Sequence, residues 1–115
     1  MALGIHPIYA RVTSATDTEL YAAPGARQRV HLRWVTVDVE VAWSANDLAR
    51  LEAGVGGEVI ATLDAGDNNN RIERSYHVNK GSRGRPLPVN TALNLESNGT
   101  AGVLVVNGEV EVTGA

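Results

Sequence analysis

The sequence predicts an all-β protein, an antiparallel two-sheet β-sandwich with one short helix. Apolar and polar side chains alternate with period two in nearly every segment, which is typical of half-buried strands. Residue pairs that favour turns, such as Pro24-Gly25, separate these segments. A segment from residue 29 to residue 43 is far longer than an ordinary strand and changes face partway. A strand of that kind can serve two sheets or two neighbours.

The change of face falls in the middle of this long segment. Every second residue from Val30 to Trp34 is apolar, and so is every second residue from Val35 to Trp43, but the two series are out of phase by one residue. Such a slip sends the second series to the opposite face unless a β-bulge absorbs it. We therefore expect the strand to bend at Trp34–Val35.

The segments before the long strand are short. We expect residues 1–7 to form an N-terminal arm, because they lack a regular pattern and His6-Pro7 disfavours helix. Residues 8–115 are then a single sandwich domain. Its first strands are expected at Ile8–Thr13 and Glu19–Ala23, and Pro24-Gly25 suits a type II turn.

The short helix is expected at Ser44–Ala53. Ser44 with an acid three residues later resembles a capping box, and Leu48 and Leu51 stand at helical spacing. The glycine-rich residues 54–57 end it.

The second half of the chain reads as further strands. Glu58–Leu63 and Arg71–Val78 flank the polar residues 64–70, which predicts a hairpin with a long loop. The basic, glycine-rich segment 79–85 is expected to be a surface loop, and Pro86–Pro88 an edge or entry segment.

Strands at Ala92–Glu96 and Val103–Val112 complete the chain. Asn107-Gly108 is either a hairpin turn or a bulge within one C-terminal strand, and both interpretations stay open. The predicted core contains Val37, Val39, Val41, Leu63, Ile72, Leu93, Leu95 and Val105.

Composition limits the possible partners. The chain has no Cys and no Phe, so its core depends on small aliphatic side chains, and we expect subunit contacts to add stability. A net charge of −3 gives no reason to expect nucleic acid as a partner. We expect neither a secretory signal nor a membrane span, because no basic segment precedes an apolar run and no apolar stretch is long enough.

No enzymatic activity, cofactor or metal site is expected, because no catalytic motif is present. His6, His31 and His77 lack the close spacing and the carboxylate that a metal site would need. Asp64, Asp67, Asn68 and Asn69 offer oxygen ligands for Ca²⁺, but any tight loop selects the same residue types, so this question stays open.

Charge is distributed unevenly along the chain. Residues 71–85 are mainly basic, whereas residues 38–67 are mainly acidic. Both stretches are either solvated surface or complementary patches that meet in an assembly. We expect the arm, through His6 and Pro7, and the basic loop, through Lys80, Arg83 and Arg85, to bind the partner.

The order of elements resembles small β-sandwich structural proteins of tailed-bacteriophage virions, of the head decoration (cement) or fibre type. The segments that carry this resemblance are Leu20–Ala23, the Pro24-Gly25 turn, Arg27 and Arg29, the long valine strand, Pro86–Val89, Ala92–Leu95 and Gly102–Val112. The resemblance covers roughly residues 18–112. It implies a jelly-roll-like sandwich without catalysis that is often trimeric.

The function expected from this resemblance is capsid decoration. The protein would be made in the host cytoplasm and bind the major capsid protein on the outside of the virion as a homotrimer. The alternative is a carbohydrate- or receptor-binding module of a phage tail or fibre, although sugar platforms need aromatic faces and this chain has only two Trp and three Tyr.

Overall fold

The structure is a computed structural model that describes residues 3–13, 17–41, 48–64, 74–81, 84–97 and 102–114. These residues form nine strands and no helix. The strands are β1 Gly4–Val12, β2 Asp17–Tyr21, β3 Gln28–Val41, β4 Leu48–Ala53, β5 Glu58–Asp64, β6 Arg74–Asn79, β7 Arg85–Pro86, β8 Leu93–Ser97 and β9 Val103–Gly114. The described part of the chain therefore offers no helix that could cross a bilayer.

Two antiparallel sheets build the molecule. Sheet A has the order β1-β9-β3-β6, with β7 also paired to β3, and sheet B has the order β2-β8-β4-β5. Strand β6 pairs with the second half of β3 and β7 with the first half, so both occupy one edge position. With that position counted once, the two four-stranded sheets have the strand order of a jelly roll. The predicted antiparallel sandwich is confirmed.

The core lies between the inner faces of the two sheets, and the buried residues are aliphatic among the side chains whose burial the structure describes. Of the predicted core residues, the structure buries Val37, Val39, Leu63, Leu93 and Leu95. Ile72 lies outside the described residues. An aliphatic core follows directly from a composition without Phe.

A bulge in β3 absorbs the predicted change of phase. Leu32 pairs with Val110 and Trp34 with Glu109, so Arg33 is the extra residue in β3. Val30, Leu32 and Val35 are all buried, which shows that the bulge returns the second apolar series to the core face. The change of phase is therefore a β-bulge, and it lies between Leu32 and Trp34 rather than at the expected Trp34–Val35.

Two predicted core residues point away from the core. Val41 is 47% exposed because a second register shift, between Val39 and Val41, turns the end of β3 outward. Val105 is only partly buried, and its strand neighbours Leu104 and Val106 fill the core instead. The four apolar residues 103–106 contain no polar position that could have marked which phase faces inward.

The predicted helix at Ser44–Ala53 is wrong for the residues that the structure describes. Leu48–Ala53 is strand β4, which pairs with β5 on one side and with β8 on the other. Ala49 and Leu51 are fully buried at strand spacing, so tertiary pairing overrides the local helical pattern. The glycine-rich residues 54–57 form the turn of the β4–β5 hairpin, in which Gly57 N donates to Gly54 O at 3.1 Å.

The expected hairpin between Glu58–Leu63 and Arg71–Val78 is also wrong. Strand β5 belongs to sheet B and β6 to sheet A, so the chain crosses between the sheets here. The turn at Pro24-Gly25 likewise connects β2 in sheet B to β3 in sheet A, and Gln28 N donates to Gly25 O at 3.1 Å.

The structure corrects the prediction for the N-terminal end of the chain and answers the open question near its C-terminal end. The expected arm of residues 1–7 is wrong from Gly4 onward, because β1 begins there and pairs with β9 along its whole length. Asn107-Gly108 is not a hairpin turn, since β9 runs through it without interruption. The irregularity lies in β3, opposite Glu109 and Val110.

Gly108 faces the β3 bulge so closely that no side chain fits. A Cβ at this position would lie 2.4 Å from Trp34 O and 3.0 Å from Val35 Cα. Because those are backbone atoms of a central strand, relief of the clash would require moving the sheet.

We expect Gly108→Ala to lower the free energy of unfolding by about 2–3 kcal/mol in urea denaturation. Gly114→Ala is the control, since nothing lies within 4 Å of a Cβ there. Equal stability of the two variants would contradict this account.

Candidate functional site

The predicted basic contact residues lie along the β7 edge of sheet A. Lys80 follows β6, and its backbone N donates to Arg33 O at 2.8 Å. The guanidinium of Arg85 forms an ion pair with the Glu58 carboxylate, which links the edge of sheet A to sheet B. Arg83 lies outside the described residues. The partner-binding role of all three residues stays a prediction.

His6 and Pro7 lie within β1 rather than in an arm. The side chain of His6 is partly buried, and its ring centroid lies 5.7 Å from that of Tyr21 in β2, at the corner between the sheets. Pro7 is exposed. The two residues therefore have different surroundings, and only Pro7 is available on the surface of β1.

An exposed apolar stripe runs along the outer face of β1. The relative exposure is 63% for Leu3, 53% for Ile5 and 66% for Tyr9, and Pro7 lies between Ile5 and Tyr9. Among the described strands β1 pairs only with β9, so it is an edge strand. We call Leu3, Ile5, Pro7 and Tyr9 the β1 stripe. Contiguous exposed apolar side chains of this kind mark surfaces for association.

The structure does not bring the two predicted contact regions together. The β1 stripe lies at one edge of sheet A, and Lys80 and Arg85 lie at the other, with β9 and β3 between them. At about 4.8 Å between neighbouring strands, the two edges are roughly 14 Å apart. A partner that contacts both must span the whole outer face of sheet A.

A cluster of three carboxylates lies on sheet B, and the sequence analysis missed it. Asp17 comes from β2, Glu52 from β4 and Glu96 from β8, and one carboxylate oxygen of each lies within 4.8 Å of the others. Strand register explains the convergence. On β8, Glu96 stands opposite Asp17, and its neighbour Asn94 stands opposite Glu52. We call Asp17, Glu52 and Glu96 the acidic cluster.

Burial makes this cluster electrostatically unfavourable. Glu52 is only 3% exposed, and its Oε1 accepts no hydrogen bond within the described structure. Burial raises the pKa of Glu52 to about 7, followed by the charge of Glu96, a side-chain hydrogen bond with Asp17, the charge of Asp17 and a side-chain hydrogen bond with Glu96. Arg50 places Nη1 3.5 Å from Glu96 Oε1, which is the one ion pair that the described residues give to the cluster.

Local sequence patterns could not have revealed the acidic cluster. Its three residues are far apart in the sequence, and each fits the polar phase of its own strand. Neither of the two groups of possible metal ligands named in the sequence, the histidines and the Asp64–Asn69 residues, coincides with the acidic cluster. His31 Nε2 shares a hydrogen bond of 2.8 Å with Thr113 Oγ1. The loop that contains Asp67, Asn68 and Asn69 lies outside the described residues.

No protein-family model matches the chain, and no curated protein matches it. Among solved structures, the chain is similar to one from the Bacillus endospore appendages, which are described as a novel family of disulfide-linked pili. The TM-score is 0.40 at 12% identity, over 99% of this chain and 91% of that chain. The resemblance to phage virion proteins stays a prediction. An all-β protein of this size fits the coarser expectation of a structural protein.

The raised pKa of Glu52 predicts how stability depends on pH. In the unfolded chain the carboxyl has its ordinary pKa of 4.5, so between pH 4.5 and 7 the folded state holds a proton that the unfolded state lacks. The free energy of unfolding therefore falls as pH rises through this window, by on the order of 2 kcal/mol. Urea denaturation in EDTA at several pH values measures this change.

Glu52→Gln removes the titrating group and keeps its shape. We expect this variant to lose the fall in stability and to be more stable than the wild type at pH 8. Glu19→Gln, an exposed acid on the same strand as Asp17, is the control and should keep the wild-type slope. If wild type and Glu52→Gln show the same slope between pH 5 and pH 8, another group is responsible.

Proposed function

We propose that this protein is a non-catalytic structural protein that attaches to a larger protein assembly. Within that class, we propose a decoration protein that binds the major capsid protein on the outside of a tailed-bacteriophage capsid. The protein is made in the host cytoplasm and becomes part of the virion. The observation that carries the proposal is the β1 stripe, an exposed apolar surface on an edge strand of a rigid sandwich.

The β1 stripe suits contact with another protein for two reasons. Burial of apolar surface contributes about 25 cal/mol per Å², and Leu3, Ile5 and Tyr9 are each more than half exposed. The stripe also lies on a strand that is fixed by pairing with β9 over nine residues, so little conformational entropy is lost on binding. Pro7 lacks a backbone donor, which limits uncontrolled pairing at this edge.

The opposite edge of sheet A supplies a different kind of contact. Lys80 and Arg85 give it positive charge, although Glu58 already pairs with Arg85. Exposed charges of this kind affect the rate and the orientation of association more than the affinity. In this proposal the β1 stripe provides most of the affinity, and the basic edge orients the protein on an acidic capsid exterior.

A carbohydrate- or receptor-binding role is the second candidate, and the exposed ring of Tyr9 is the observation that favours it. This ring is 66% exposed and stands opposite Asn107, whose amide can bond to hydroxyl groups. Sugars stack on aromatic faces, yet Tyr9 is the one ring with that degree of exposure among the side chains whose burial the structure describes. Reproducible glycan-array binding that Tyr9→Ala abolishes would support this role over decoration.

Substitutions in the β1 stripe test the decoration role. We expect Ile5→Lys combined with Tyr9→Lys to reduce occupancy on capsids at least tenfold, because two apolar contacts are replaced by charges. The capsids are assembled from the capsid protein encoded beside this gene, and electron microscopy measures occupancy. Val55→Lys is the matched control, since Val55 is 73% exposed in the β4–β5 turn, away from β1.

Both variants should melt like the wild type, because the changed side chains are exposed. Full occupancy by the double variant would show that the β1 stripe is not the contact surface. The absence of a capsid gene nearby, together with no binding by the wild type, would overturn the decoration role itself.

Self-association is the second expected property of this structural protein. We propose a homotrimer, because the buried residues of the described core are small and aliphatic and leave stability to be gained from subunit contacts. By mass action, the melting temperature of an oligomer rises with protein concentration. Sedimentation and thermal melting over a hundredfold concentration range measure this. A monomer at micromolar concentration with a constant melting temperature would contradict the trimer.

A further inference from the structure

We propose that Asp17, Glu52 and Glu96, together with the amide oxygen of Asn94, form a binding site for one Ca²⁺ ion on sheet B. This site is separate from the β1 stripe, because it lies on the other sheet. Its role is structural, since the ligands come from β2, β4 and β8 and one ion would hold the three strands together.

The spacing of the carboxylates fits a single Ca²⁺ ion. One oxygen from each of Asp17, Glu52 and Glu96 lies within 4.8 Å of the other two. Ca²⁺ binds oxygen at about 2.3–2.6 Å, so two ligands on opposite sides of the ion are separated by roughly 4.6–5.2 Å. The three oxygens can therefore reach a common ion without a change of strand pairing. The exposed side, at Asp17, leaves room for the water ligands that complete a Ca²⁺ shell.

Unpaired buried oxygens are the independent sign of a missing ligand. Glu52 Oε1 is buried with no hydrogen-bond partner, and Glu52 itself is 97% buried, since it is 3% exposed. Asn94 Oδ1 is also buried without a partner, and Asn94 stands directly opposite Glu52 in the β4–β8 register. Buried polar atoms without partners are rare and costly in native structures. A cation between these side chains would satisfy both oxygens.

Charge balance also calls for a cation here. The acidic cluster contains three carboxylates. Arg50 contacts Glu96 at 3.5 Å and supplies one positive charge. Three close carboxylates with one guanidinium keep an excess of negative charge, which a divalent ion neutralises. A proton on Glu52 would neutralise only one of these charges. It would also leave Asn94 Oδ1 without a donor, unless the protonated carboxyl of Glu52 turned toward Asn94.

Calorimetric titration of the EDTA-treated protein with CaCl₂ tests the site, and thermal melting gives a second readout. We expect one Ca²⁺ per chain, with a dissociation constant of about 1 mM or below, which includes the range of the weaker Ca²⁺ sites in proteins. The melting temperature should rise with CaCl₂ and then saturate. NaCl at matched ionic strength should not reproduce this rise, because screening alone binds no ion.

Variants separate specific binding from general charge screening. We expect Glu52→Gln and Asp17→Asn each to weaken Ca²⁺ binding at least tenfold, whereas Glu19→Gln changes it less than twofold. Glu52→Gln mimics a neutral Glu52 and should fold normally, so its loss of binding cannot be attributed to unfolding.

Two results would overturn the proposal. The first is no binding heat and no rise in melting temperature up to about 10 mM CaCl₂, beyond the range of known weak sites. The second is an equal response of Glu52→Gln and Glu19→Gln. Equal affinity for Mg²⁺ would overturn the assignment to Ca²⁺, because Mg²⁺ requires shorter and stricter octahedral contacts.

Discussion

The bulge at Arg33 in β3 is the constraint on which sheet A depends. A strand of fourteen residues whose apolar phase slips by one residue cannot bury both halves without an extra residue. Arg33 and Trp34 both project outward at the bulge, and Glu109 Oε1 accepts from Arg33 Nη1 at 3.3 Å and from Trp34 Nε1 at 3.1 Å. The carboxylate therefore holds the two outward side chains of the bulge together on the surface of the sheet.

Glycines on both neighbouring segments make room for this bulge. Gly108 lies against it from β9, and Gly84 lies against it from the segment before β7. A Cβ at Gly84 would lie 2.6 Å from Leu32 O, and its φ of +71° also favours glycine. Lys80 N satisfies the carbonyl of Arg33 from the same side. Lys80 and Gly84 of the basic segment thus have a packing role in addition to any contact with a partner.

The sequence predicts this fold well wherever polar residues mark one phase of a strand. Val35 to Val39 alternate with polar residues, and their burial is as expected. The prediction fails where that marker is missing or misleading. Residues 103–106 are all apolar, and in β4 the spacing of Leu48 and Leu51 imitates a helix although two neighbouring strands pair with the segment. The prediction that Val41 lies in the core is wrong for a third reason, because the second bulge of β3 leaves no trace in the alternation of apolar and polar residues.

The acidic cluster depends on pairing that no local pattern contains. Its geometry follows from the register of β8 with β2 on one side and with β4 on the other, and a slip of one residue in either pair would move one carboxylate to the core face. The β1 stripe was missed for a related reason. Residues 1–7 show no regular alternation, and only the pairing of β1 with β9 reveals that Ile5, Pro7 and Tyr9 share a face.

The two surfaces are connected at the corner between the sheets. Strand β2 is a short edge strand that, among the described strands, pairs only with β8, and its register shifts between Glu19 and Tyr21. Asp17, its first residue, repels Glu52 and Glu96, so charge in the acidic cluster acts directly against the β2–β8 pairing. Tyr21, its last residue, contacts His6 in β1. Neutralisation of the acidic cluster would therefore stabilise β2, which supports β1 from the inner side. The β1 stripe would be stabilised with it.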